Sequence, residues 1–130
     1  MTALEPVVER LDRLREHGIK VAIDDFGTGY SSLSYLDQLP LDYLRIDQAF
    51  VQRLDITAPT DSLVHKIQLL ADSFGLATVV EGVETKEQLA IVTEMGCDIV
   101  QGYVHSKPVA ASEVPETIIR IETELKCRAA

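Results

Sequence analysis

Leu4, Val7, Val8, Leu11 and Leu14 recur at helical spacing, and Gly18 follows where a left-handed C-terminal cap stops a helix. The next stretch, Ile19 to Phe26, is short and nearly continuous in apolar residues apart from Lys20, the pattern of a parallel strand covered on both faces. It ends in Asp24 and Asp25. The arrangement recurs twice. A helix from about Ser62 to Phe74 meets Gly75 and then a strand from Leu76 to Val80 that ends at Glu81. A helix from about Thr85 meets Gly96 and then a strand from Asp98 to Val100 that ends at Gln101. A short helix from Ser31 to Leu39 precedes a fourth strand at about Asp42 to Asp47, and Ser112 to Lys126 reads as a closing helix. Thr85 with Gln88 three residues on predicts a capping box, and Ser31 or Ser32 is placed to cap the helix after the glycine-rich turn.

Strands that alternate with helices force a parallel sheet, so all four strand C-termini point to one edge. Asp24, Asp25, Arg45, Asp47, Glu81 and Gln101 all fall at or near those ends. That is the edge where α/β barrels and open α/β sheets carry their sites, so a single site is expected there.

A length of 130 residues allows one domain with one core, and the chain reads as a single unit over residues 1–130. The formal charge of -9 disfavours a nucleic acid polymer as partner, because release of phosphate counterions needs a basic face. An acidic protein still binds an anionic ligand when divalent cations lie between them. No run approaches the roughly 18 apolar residues of a membrane span, and the N-terminal segment is charged and amphipathic. No membrane insertion and a cytoplasmic location are therefore expected. Cys97 and Cys127 form neither a CxxC pair nor a disulfide framework, which fits a reducing compartment.

The adjacent acids Asp24 and Asp25 repel each other unless a cation or proton offsets them. Hard divalent ions do so, and magnesium or manganese suits these oxygen donors better than zinc, for which no Cys/His cluster exists. The competing reading has one Asp capping a helix or facing solvent. Gly27, Thr28, Gly29 and Tyr30, followed by Ser31 and Ser32, give two glycines for unusual backbone angles and then hydroxyls at a helix start. That is a surface for a phosphate or a plain strand-to-helix turn. Glu81, directly after an apolar strand, suits a buried ion pair or a metal-bound role. Arg45 and Asp47 share a strand face opposite Leu44 and Ile46 and are candidates for a structural pair. Lys107 before Pro108 reads as a turn residue. His17 and His65 read as surface residues on helices, and His105 is placed to line a pocket wall.

Asp24-Asp25-Phe26-Gly27-Thr28-Gly29-Tyr30-Ser31-Ser32-Leu33 resembles the DDFGTGYSSL signature of EAL domains. The resemblance continues in order through Leu39-Pro40, Leu44-Arg45-Ile46-Asp47, Glu81-Gly82-Val83-Glu84-Thr85, and Gln101-Gly102-Tyr103 leading to Ser106-Lys107-Pro108. It runs from about Leu11 to about Val114. It implies an eight-stranded parallel β/α barrel of the TIM type, of which this chain corresponds to the last four strand-helix units. The Glu-Ala-Leu motif, with an Asn and a Glu on the next strands, would then precede Met1.

The activity implied is hydrolysis of cyclic di-GMP to linear pGpG with two magnesium or manganese ions in a complete domain. By the resemblance, Asp24 bridges the two ions and Asp25 holds the second. Glu81 lies beside the second ion and its water as ligand or general base, and Gln101 positions substrate or water. Arg45 stands where the family has an active-site lysine, and a planar guanidinium differs in shape and reach from a compact ammonium. The alternative expectation is an inactive half-domain that binds cyclic di-GMP or a protein partner and holds no metal. Four strands cut from a closed barrel also leave two open edges, so the expectation is either a fragment of a longer protein or a half-barrel that associates with itself or with another chain. Element order argues against a phosphoacceptor receiver domain, because Asp25 and Asp47 leave room for only one helix and one strand between them.

Overall fold

Three helices of this chain end in the same way, and each ending delivers the chain into the sheet. In the computed structural model, which describes residues 4–24, 26 and 33–129 with side chains as far as residue 126, helix α1 (Glu5–Glu16) closes on Gly18 at φ 83°. The Gly18 N–H donates to Arg15 O at 2.9 Å and the Ile19 N–H to Leu14 O at 3.1 Å. Helix α4 (Leu63–Ser73) repeats this at Gly75, φ 69°, with Gly75 N–H to Asp72 O at 3.1 Å and Leu76 N–H to Ala71 O at 2.9 Å. Helix α5 (Lys86–Glu94) repeats it at Gly96, φ 89°, with Gly96 N–H to Thr93 O and Cys97 N–H to Val92 O, both at 3.1 Å. This paired bonding satisfies the last helical carbonyls, and glycine takes the left-handed angle without a Cβ penalty. All three stop signals lie where the sequence predicts them.

The strands that follow are β1 (Ala22–Ile23), β2 (Tyr43–Ile46), β3 (Ala77–Glu81) and β4 (Ile99–Gln101). They form one four-stranded sheet in the order β1-β2-β3-β4 with every pair parallel. Two strand entries are fastened by an aspartate reaching across to the preceding strand. Asp42 Oδ2 accepts from the Val21 N–H at 2.8 Å, and Asp98 Oδ2 accepts from the Thr78 N–H at 2.9 Å.

Buried Leu44, Ile46 and Val80 point to one face. There they join Val51 of α3 (Gln48–Gln52), Val64, Ile67 and Ala71 of α4, and Leu89 and Val92 of α5 in one core. Each of the buried Leu, Ile and Val side chains contributes about 1.5–3 kcal/mol by leaving water. Among the described residues, the two buried polar side chains answer each other: the Thr78 hydroxyl donates to Gln68 Oε1 at 2.7 Å. Burial pushes the Cys97 thiol up to about 11, so at neutral pH it stays protonated against this core.

The remaining helices are α2 (Leu33–Gln38) and α6 (Val114–Ala129), with short 3-10 turns at Pro59–Asp61 and Ala111–Glu113. Thr85 and Gln88 form the capping box expected at the start of α5, and Ser62 caps α4 by accepting from the His65 N–H at 3.2 Å. Among the described residues no helix is long and apolar enough to cross a membrane.

Four expectations are corrected. The strand expected from Ile19 to Phe26 is reduced to Ala22–Ile23. Its start is committed to the α1 cap, and as an edge strand it has one ladder, to β2. Nor is this strand covered on both faces, since Ala22 is exposed and Ile23 half-buried; on the other strands Tyr43, Arg45, Ala77, Val79 and Glu81 alternate half-buried with buried Leu44, Ile46, Thr78 and Val80, and Ile99 and Gln101 are exposed. Helix α3 was not expected; Asp47 starts it by accepting from the Ala49 N–H at 2.9 Å, and Phe50 and Val51 then anchor it. His65 is half-buried rather than a surface residue, whereas His17 is exposed. The Ser31 and Ser32 caps lie outside the described residues.

Two outcomes test this construction. A methyl group at Gly102 would overlap the backbone of Val83, so Gly102→Ala is expected to cost about 3 kcal/mol or more. Gly75→Ala meets no atom and pays only for its positive φ, about 1–2 kcal/mol. Urea unfolding of both variants checks that order.

Asp42 is held below the ordinary 3.8, first by the Val21 N–H and then by the Arg15 guanidinium at 3.1 Å. A depressed carboxylate stabilises above its unfolded pKa, so this contribution is complete at neutral pH and is lost as pH falls below about 4 toward the folded value. Thermal unfolding from pH 7 to pH 3 is expected to show a shallower acid loss in Asp42→Asn than in the parent chain.

Candidate functional site

Parallel register brings the ends of three neighbouring strands together. Arg45 of β2 lies level with Val79 of β3 and Ile99 of β4, and one level higher Glu81 pairs with Gln101. Asp24 follows directly on β1. Alternation puts Arg45 and Glu81 on the face opposite the helices.

There the Arg45 guanidinium bridges two strand ends. Its Nη2 donates to Glu81 Oε1 in a direct ion pair, and its Nη1 lies 3.6 Å from Asp24 Oδ2. The Glu81 side chain is 19% exposed and that of Asp24 52%, so the Glu81 contact is the better shielded from water and salt. Arg45 Nε is buried and, among the described residues, has no hydrogen-bond partner.

Asp47 does not pair with Arg45, because its carboxylate is spent on the N-terminus of α3. Gln101 is exposed beside Glu81, and its carbonyl accepts from the Val83 N–H at 3.3 Å. Asp47, Gln48, Glu81, Glu84, Gln101 and Tyr103 line a cavity of about 430 Å³ at this rim. A larger cavity, about 560 Å³, lies between the segment after β4 and α6, with His105, Lys107 and Arg120 on its wall. Lys107 is exposed, with its ammonium 5.9 Å from the Tyr103 ring centre. Asp25, Gly27, Thr28, Gly29 and Tyr30 lie outside the described residues. Among the described residues no group of three or more His, Cys, Asp or Glu side chains is placed to hold a metal ion.

Sequence reasoning did not pick out Gln48, Glu84 or Tyr103 as cavity residues, nor the two glycines that set the rim. Gly82, at φ 75°, lies against Gln48 at the start of α3, and Gly102 lies against Val83, so the turn after β3 touches the segment after β2 and the turn after β4 touches the turn after β3, each where no side chain fits. The visible signal was a glycine immediately after each candidate side chain, Glu81-Gly82 and Gln101-Gly102.

The family model for the EAL domain matches residues 1–108. The chain belongs to the EAL domain family. It is 41% identical over 116 residues to the cyclic di-GMP phosphodiesterase NbdA of Pseudomonas aeruginosa, covering 89% of this chain and 15% of that protein. Among solved structures it matches the EAL domain of Mycobacterium smegmatis DcpA with TM-score 0.78 and 41% identity, over 89% of this chain and 52% of that one. It also matches a manganese and cyclic di-GMP complex of Klebsiella pneumoniae BlrP1 with TM-score 0.65 and 31% identity, over 82% of this chain and 27% of that one. The chain thus spans about half of the solved EAL domain and a smaller share of the longer relatives. Its parallel sheet is part of the EAL barrel, and the BlrP1 structure is a complex with manganese and cyclic di-GMP.

Proposed function

We propose that this chain forms part of an EAL-type phosphodiesterase site that binds cyclic di-GMP and hydrolyses it to pGpG once the rest of the barrel is present. The observation that carries the reading is the convergence of Asp24, Arg45 and Glu81, with Gln101 beside them, at one rim of a sheet that belongs to this family. The donor chemistry fits a hard divalent cation, because the acids at this rim offer carboxylate oxygens. Asp24, Asp25 and Glu81 are the residues that would hold magnesium or manganese. When bound, such ions supply the positive charge that activates water and offsets the charge developing at phosphorus.

The chain's own groups do the rest. Gln101 offers an amide to orient substrate or water, and Glu81 accepts a proton at its carboxylate. By the family resemblance, Gly27, Thr28, Gly29 and Tyr30 are the residues assigned to substrate binding. The free edges of β1 and β4 suit the remaining strands of a barrel, or another copy of this chain. A cytoplasmic setting suits a soluble nucleotide substrate.

A second reading is favoured by one observation: both described acids are already paired with Arg45. It makes the chain a non-hydrolytic module that binds cyclic di-GMP or a protein partner. Calorimetry with cyclic di-GMP in magnesium, beside a chromatographic assay for pGpG, separates the two when both are run on this chain joined to the remaining strands of its barrel. Binding is expected, and Gln101→Ala is expected to weaken it about tenfold, the loss of one hydrogen bond. Formation of pGpG supports the phosphodiesterase, binding without product supports the module, and absence of both overturns both.

A further inference from the structure

We propose that Arg45 is a built-in competitor of the divalent cation: its guanidinium takes the charge-balancing place between Asp24 and Glu81, so a metal ion enters only when Arg45 swings out. The inference rests on the reading of Asp24 and Glu81 as cation-binding carboxylates and adds what their present partner does to that role.

Three features carry it. The two Nη groups of one side chain engage acids at two different strand ends, Glu81 as the last residue of β3 and Asp24 just after β1, so the guanidinium occupies the region between them. Arginine stays charged throughout the physiological range and has no neutral form in which to tolerate a neighbouring divalent ion. Magnesium, moreover, needs carboxylate oxygens at about 2.0–2.1 Å in near-octahedral order, which the same oxygens do not offer while they face a guanidinium.

The buried Nε without a hydrogen-bond partner among the described residues shows that Arg45 is held from its Nη end. Loss of those two contacts therefore frees the head group. A third of the Arg45 side chain is solvent-exposed, at 33%, which leaves a way out toward water.

Manganese binding to the chain without nucleotide tests this, read by the loss of the free-ion paramagnetic resonance signal and by calorimetry. Arg45→Met is expected to bind manganese at least tenfold more tightly than the parent chain, and Arg45→Lys severalfold more tightly, because an ammonium makes fewer simultaneous contacts. Adding Glu81→Gln to Arg45→Met is expected to abolish the gain. Circular dichroism confirms that each variant is folded, and Arg45→Lys carries the test if the methionine variant is not. Affinity that is unchanged or weaker in the folded variants overturns the proposal, as does micromolar binding by the parent chain equal to that of Arg45→Lys. Because no nucleotide is present, these results stand whether or not cyclic di-GMP is bound or hydrolysed.

Discussion

Because β1 to β4 pair in parallel and in chain order, every strand leaves the sheet at the same edge, and side chains two residues apart return to the same face. A shift of one residue in any pairing would send Arg45 or Glu81 into the core and bring Leu44 or Val80 out of it. The buried face and the polar rim are thus fixed by one register. The glycine contacts of Gly82 with Gln48 and of Gly102 with Val83 then fix the turns above the sheet, so Glu81 and Gln101 have little freedom to separate.

The consequence for chemistry lies in how charge is balanced. Carboxylates collected at one strand-end rim need a cation, and in this chain an arginine of the central strand β2 supplies it. The same contact serves the fold, since it ties β1 to β3 across β2, and it constrains function, since the tied groups are those the family resemblance singles out. Under the proposed function, stability and metal access draw on the same oxygens. Membership of the EAL family gives the rim its most economical chemical meaning, while the chain's share of the domain, about half of the solved examples, leaves the remainder of the site to other strands.

Much of this architecture was readable in the residues. The three helix-glycine-strand units appeared because a left-handed cap demands glycine at one position, a local requirement that tertiary packing does not alter. The capping box at Thr85 and Gln88 was legible for the same reason. Strand β1 was overread, because a run of apolar residues does not show that its first members are claimed by a helix cap or that it lies at an edge. Helix α3 was missed although Asp47 followed by Phe50 and Val51 is an N-cap with a buried stripe; Asp47 had been credited to the strand instead. The partner of Arg45 depends on register between strands far apart in sequence, so the sequence pointed to Asp47, its neighbour on the same strand face, and not to Glu81. Asp25 and the loop from Gly27 to Tyr30 belong to the expected site but lie outside the described residues.

The central claim is that Arg45 and Glu81 hold each other across two strands at the rim. A double-mutant cycle with Arg45→Met and Glu81→Gln, followed by urea unfolding, addresses it directly. The account predicts a coupling of about 1–3 kcal/mol, as for contacting residues in one ion-paired network. Additive effects, with coupling below about 0.5 kcal/mol, would mean that the two groups do not meet and that the rim is not organised around this arginine.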